Sequence, residues 1–564
     1  MEGWIKKQII LLIGIILAII GIIIGAKSGV DYRDFPLIGA RNAVWIIAQT
    51  MILFAAFILA VPVFVLIIEI GAYKKKDERL DRLAKDFARL LPLSYSITAI
   101  VGGVFTLISY ALFPKFLNYM SANFKSTFYI FAFFVFLEST AVYIYWTTWD
   151  KLKGEKKIQH IYIGIALNLL GILVMMVANS WASFHMTPAG VDTTGKVISL
   201  KDAIFNHTFW PINIHRFIAN ISFGGFICAA YAAYKYLSSE SDEERAHYDW
   251  MGYTGTMIGV VTMVLLPFAG YYFGIEIYSF NAQMGITFMG GALSKLWLLQ
   301  AIIIAVIFLG TCYYLWLGLH RIPGSEPYRK YVPYLSWILV ITFAVWATPR
   351  AWVASLEEAA TGVHPIYGTV GIMAPKIAAV NIAILGVILT FLLNRRAGKI
   401  IPKGREIYAY LQWLVIIAII LGNAIALYYS YQVPSSVRIR ISIYTMLSMI
   451  PAIALLYIFD GLLLKDTERI GEIQWGKMAP RSQYALITVA VSNVWAMALL
   501  GYGRAAARLN WHIYGVLEDT SKYNGLPTLG QAALVISGIT LLYLFLIGFV
   551  FKLTGKEGAE GGVK

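Results

Sequence analysis

The run FAFFVFLESTAVYIYWTTW (131–149), followed by IYIGIALNLLGILVMMVANSW (161–181) and PINIHRFIANISFGGFICAAY (211–231), decides the fold. Each run is apolar over the length a helix needs to cross a bilayer, about 20 residues at about 1.5 Å per residue. Lipid offers the backbone no hydrogen bonds, so only helices and closed barrels span it, and runs this long exclude strands. Each run also brings an ionisable group into or beside the apolar stretch. Glu138 is inside the first, His160 heads the second, and His215 is near the start of the third. An ionisable residue at membrane depth is costly and marks function by default. A neutral imidazole is in addition a ligand for a metal or for haem iron.

The rest of the chain agrees with a membrane protein. Of 564 residues, 59% are hydrophobic and only 14% charged, against about a quarter in soluble chains. The mean hydropathy is +0.69. The formal charge of +15 comes from short loops between apolar runs, which reads as topology rather than nucleic-acid binding. Cys228 and Cys312 are the two cysteines, both in apolar runs and outside any CxxC, so thiolate metal sites and c-type haem attachment are excluded. The first apolar run follows Lys6 and Lys7 without an A-x-A cleavage site and is expected to be a retained helix.

About fourteen spanning candidates follow from a window of roughly 19–20 residues. The fold class expected is an all-α polytopic transmembrane bundle. With the N-terminus cytoplasmic in a plasma membrane, the basic connections fall inside, YKKKDERLDRLAKDFAR (73–89) and KLKGEKK (151–157) among them. The loops 183–210, 351–371 and 504–527 fall outside. His185, His207, His215, His364 and His512 then lie towards the outer face, and His160 at the inner face.

Five short motifs carry a resemblance: FLEST (136–140), WDKL (149–152), IQH (158–160), VANSW (177–181) and IHRFIANISFGGF (214–226). In order and spacing they resemble cytochrome bd quinol oxidase subunit I. The resemblance implies that His215 is an axial ligand of a low-spin haem b. It implies that Glu138 belongs to the haem and proton-path region. It also implies quinol as electron donor, a second membrane subunit, and a cytochrome c or other redox protein as a candidate partner. Membrane lipid is the surrounding partner and nucleic acid is not expected. The division expected is an extra N-terminal helix over 1–40, the bd-like bundle over 41–394, and an additional four-helix membrane region over 395–564.

The second axial ligand stays open. Gln300 stands where the family places a methionine, and His185 and His207 are further candidates. Arg350 in TPRAW (348–352) and Arg504 in GYGRAAARLNW (501–511) are candidate grips for haem propionates, with interfacial anchoring as the alternative. Met51 stands where the family has the histidine of its oxygen-binding haem. Ile130 stands where it has a second glutamate, and its long quinol loop is missing. The function expected is a haem-b-bearing electron-transfer subunit of a quinol-linked respiratory oxidoreductase, an enzyme as part of that complex. A divergent oxygen reductase is one form of it. The alternatives are a haem-free structural or quinone-anchoring subunit and an ion or solute transporter.

Overall fold

The computed structural model describes residues 2–26, 28–289, 293–348, 374–433 and 435–560. Among them, thirteen helical segments are long and apolar enough to cross a membrane. The apolar part of the first helix, Leu12–Gly25, is shorter and accounts for the fourteenth expected from the sequence. The chain is an all-α membrane bundle.

The chain divides into two units that interleave in sequence. Unit 1 comprises Met1–Tyr231, Thr254–Phe288 and Val494–Lys564, and unit 2 Ala232–Tyr253 and Met289–Asn493. The long helices of unit 1 are α1 (Glu2–Ala26), α2 (Ala40–Lys75), α3 (Leu91–Leu112), α4 (Lys125–Thr148) and α5 (Lys157–Phe184). It also holds most of α6 (Phe209–Ser238), part of α7 (Asp242–Met263), α8 (Leu266–Phe280), the end of α15 (Pro480–Ala506) and α16 (Leu529–Glu560). Helix α2 is the centre, packed by α3, α5 and α16. A Cβ at Gly103 of α3 would collide with the backbone of Gly14, so α1 and α3 touch along their main chains. Gly225 of α6 plays the same part against α7, since a Cβ there would lie 2.7 Å from the Gly259 nitrogen.

Unit 2 is built on α9 (Ser294–Gly318), α10 (Val332–Ala347), α11 (Ala374–Arg396), α12 (Glu406–Ser430), α13 (Ser435–Leu447) and α14 (Met449–Leu463). Its charged groups are tied to one another. Buried Asp460 lies 3.0 Å from Arg395 as an ion pair and accepts a hydrogen bond from Arg396 at 3.2 Å. Arg321 pairs with Asp249 and stacks 4.3 Å over Trp475.

Two spans read as single runs are interrupted, at Val264–Leu265 between α7 and α8 and at Ser448 between α13 and α14. Pro267 and Pro451 follow these points, and a proline cannot donate to the preceding turn. The hydrogen bonds Val264 N to Val260 O (3.0 Å) and Ser448 N to Tyr444 O (2.9 Å) carry the helix through, so both are proline kinks. The basic connection after α2 is also not a plain loop. Asp77 accepts from the amides of Arg79 (2.9 Å) and Leu80 (3.1 Å) and caps a helix over Glu78–Ala88.

Unit 1 has two unlike ends. The lysine-rich end carries Lys74, Lys75, Lys85, Lys153 and Lys157. The opposite end, the loop end, is closed by residues 185–208 and a small hairpin, Trp511–Ile513 with Leu517–Glu518. The closing loop is fixed on α5 by Thr187 Oγ1 donating to Asn206 Oδ1 (2.9 Å) and Asn206 Nδ2 donating to Ser183 Oγ (2.9 Å).

Candidate functional site

Helix α6 presents His215 and Arg216 to different neighbours, as residues about 100° apart around a helix must. His215 faces α8. Its ring lies 3.7 Å from where a Cβ of Gly270 would stand and 6.2 Å from the Phe273 ring. The ring makes no hydrogen bond to any described residue. Arg216 faces α5, where its Nη1 donates to Asn179 Oδ1 at 2.5 Å, and the Asn179 amide donates to Asn213 at 2.9 Å. The VANSW and IHRF motifs therefore meet through their polar residues.

Arg504 sits beside Arg216, near the end of α15, and donates to the Ala182 carbonyl at 3.0 Å. One turn on, Arg508 donates to the His512 carbonyl at 2.8 Å, and its Nε is buried without a partner. Burial pushes this guanidinium down to about 9. Arg41, at the start of α2, donates to the Leu509 carbonyl at 2.9 Å and lies 3.5 Å from Asp519. Among the described residues, Asp519 is the single carboxylate within ion-pair distance of any of these four arginines. The cluster thus gathers far more positive than negative charge away from water.

His185, the C-cap of α5, lies among these cations. Its carbonyl accepts from Tyr514 at 3.0 Å, its ring meets Phe116 edge-on at 5.2 Å, and its Nε2 is buried with no partner. Burial, and then Arg508 and Arg504, hold the ring well below the ordinary histidine value, so it is neutral. His512 stacks on the other side of the cluster against Phe116 at 4.8 Å, with Asp519 3.6 Å away. Burial pushes it down to about 4, opposed by Asp519 and assisted by Arg508.

The remaining sequence candidates lie elsewhere. His207 is 45% exposed, bonded to Ser279 Oγ at 2.7 Å and 3.2 Å from Glu276 on α8. Neither His185 nor His207 touches the His215 ring. Gln300 is buried in α9 of unit 2. Arg350 and His364 lie outside the described residues. Glu138 is buried in α4, 3.4 Å from the Tyr95 hydroxyl, and its Oε1 fills the space beside Gly171 of α5.

Positions where the resemblance would place other ligands are differently used. Ile130 is 45% exposed and points out of the bundle. Met51 packs its sulfur at Gly102, 3.6 Å from the Cβ position.

Several members of the cluster were not singled out from sequence: Arg216, Arg508, Arg41 and Asp519. The i, i+4 pair Arg504 and Arg508 at an apolar helix end was a readable signal, since residues at that spacing share a face.

A family model described as cytochrome bd terminal oxidase subunit I matches residues 40–283. Over that stretch the chain is similar to cytochrome bd terminal oxidase subunit I. The match takes in α2 to α8, and so includes Glu138, His185, His207 and His215. The putative cytochrome bd menaquinol oxidase subunit I of Bacillus subtilis (strain 168) is 25% identical over 198 residues, 34% of this chain. The alignment spans less than half of that relative, 43% of its length. Among solved structures, the bd oxidase from Geobacillus thermodenitrificans aligns with a TM-score of 0.47 at 14% identity, covering 92% of this chain and 98% of that one.

The residues at the loop end fit a haem. A haem brings two propionate carboxylates, and Arg216, Arg504 and Arg508 lack a carboxylate partner there. His215 offers an imidazole engaged by no hydrogen bond, opposite a glycine that adds no side chain.

Proposed function

We propose that this chain is a haem-b-bearing electron-transfer subunit of a cytochrome bd-type, quinol-linked respiratory oxidoreductase. The observation that carries the reading is the half-buried cluster of guanidinium groups beside His215, of which Arg216 stands in a motif within the stretch the family model covers. His215 would be an axial ligand, and Arg216, Arg504 and Arg508 would hold the propionates, since a guanidinium grips a carboxylate with paired hydrogen bonds. When bound, the haem supplies one-electron chemistry. Helices α5, α6 and α8 fix the ligand's depth, and the apolar side chains around it keep water away and set the potential.

Glu138 relays protons in this reading. An acid buried among apolar side chains favours its neutral, proton-carrying form. The lysine-rich end is cytoplasmic in a plasma membrane, by the asymmetry of basic residues between the two sides. Quinol is the donor, and a second membrane subunit and a further redox protein complete the complex. The ligand positions at Met51 and Ile130 leave oxygen reduction to residues other than those of the resemblance.

A reduced-minus-oxidised optical spectrum of the purified full-length chain tests this. Low-spin b-type bands with a stoichiometric haem are expected. A chain that inserts and purifies without haem, when haem is supplied, would establish the haem-free structural subunit instead.

A further inference from the structure

A second group of titratable side chains lies at the lysine-rich end of unit 1. Glu69 of α2 and His160 of α5 are both 0% exposed. The ring Nε2 is 2.8 Å from the Tyr145 carbonyl oxygen. A carbonyl only accepts, so Nε2 carries a hydrogen. The ring Nδ1 is bonded to Glu69 Oε1. An ionised carboxylate also only accepts. A neutral ring with its one proton on Nε2 would therefore set two lone pairs against each other. The contact needs one more proton, either on Nδ1 as an imidazolium or on Glu69 as a carboxylic acid.

The surroundings agree with that extra proton. Tyr145 of α4 donates its hydroxyl to Glu69 Oε2 at 2.6 Å. Lys157 of α5 lies 2.9 Å from Glu69 Oε1 and 2.7 Å from Asp81 on the helix Glu78–Ala88. These are the titratable and charged groups facing the pair from each element packed on it. Glu69 and Asp81 are two negative charges and Lys157 is one positive. The shared proton makes the group neutral, which a buried cluster requires. The Asp81 side chain is 29% exposed and is the group's opening to water.

We propose that Glu69 and His160 share one retained proton and form the station from which Glu138 is reloaded from the lysine-rich end. This rests on Glu138 acting as the relay proposed above. The same two helices frame both groups. Tyr145 lies two turns from Glu138 on α4, about 10 Å away at about 1.5 Å per residue. Helix α5 carries His160 and then Gly171, against which Glu138 rests. When Glu138 gives up its proton it becomes a carboxylate. The dyad passes its proton to it and regains one from water through Lys157 and Asp81, and no electron moves in this step.

Nitrogen-15 NMR of histidine-labelled full-length protein reads the retained proton directly. Nε2 should carry a hydrogen bonded to the Tyr145 carbonyl, and Nδ1 should share a second hydrogen with Glu69. A ring with no hydrogen between Nδ1 and Glu69 overturns the shared proton. Turnover of His160→Gln and Glu69→Gln tests the station, with haem content confirming the fold. The wild type should be nearly flat with pH. In the variants turnover should fall about tenfold per pH unit as Glu138 is reloaded by bulk protons alone. If Glu138→Gln impairs turnover while His160→Gln keeps the wild-type profile, the station is overturned and the relay stands. If Glu138→Gln leaves turnover unchanged, the relay itself falls and the station with it.

Discussion

The two ends of unit 1 are built on opposite electrostatic plans. At the lysine-rich end every buried charge faces a counter-charge: Glu69 meets His160 and Lys157, and Lys157 meets Asp81. At the loop end four arginines cluster, one of which, Arg41, is within ion-pair distance of a carboxylate, Asp519, and a neutral His185 keeps a ring nitrogen unbonded. A self-satisfied cluster holds helices together and stores a proton. In the proposed function, the under-satisfied one takes an anionic guest.

Substitutions should separate the two plans by sign and size. The largest effect belongs to the paired end. Glu69→Leu leaves Lys157 and His160 facing an apolar side chain. It should cost about 3–5 kcal/mol, the usual loss when one partner of a buried pair is removed. Thermal unfolding of the purified protein in one fixed detergent reads it.

Acid should act on the loop end at comparable size. His512 is held at about 4 in the fold against an ordinary 6.5. The unfolded segment therefore takes up the proton first as pH falls. The contribution of this ring is complete above 6.5 and is lost between 6.5 and 4. The loss amounts to about 3 kcal/mol at about 1.36 kcal/mol per unit. Hydrogen exchange over residues 511–521 should accelerate in that window while the helix α2 core stays protected.

Glu138 lies between the two ends. Glu138→Gln should lower turnover about a hundredfold with haem content unchanged, the lower range for loss of a positioned proton donor. The smallest effect is at the unpaired cluster. Arg504→Gln should barely change the stability of the haem-free chain, because it removes an unpaired charge. It should weaken haem retention about tenfold, which is about 1.4 kcal/mol. Titration of the haem-free protein with haem reads the difference.

The helices were legible because hydropathy is local. Apolar length alone locates α2, α4, α5 and α6, and lysine asymmetry orders the loops. Glu138 was legible for the same reason, as an acid inside an apolar run. Glu69 carries the same signal, LIIEIG (66–71), outside the motifs that carry the resemblance. The arginine cluster was not legible as a cluster. Its members come from α2, α6, α15 and the segment after α15, and only tertiary packing brings Arg216 to Arg504 and Arg508 to His185. The spans holding Pro267 and Pro451 were legible as spans, and their kinks were not, since hydropathy does not register a missing amide hydrogen.

His215→Ala, compared with wild type by reduced-minus-oxidised spectrum and haem quantitation, tests the haem assignment most directly. The variant should still insert, because insertion follows apolar length. One full set of low-spin b-haem bands should disappear, with the haem count falling to match. His185→Ala and His207→Ala, whose rings do not touch His215, provide the comparison. A His215→Ala protein that keeps the complete low-spin spectrum and the wild-type haem count would contradict the account.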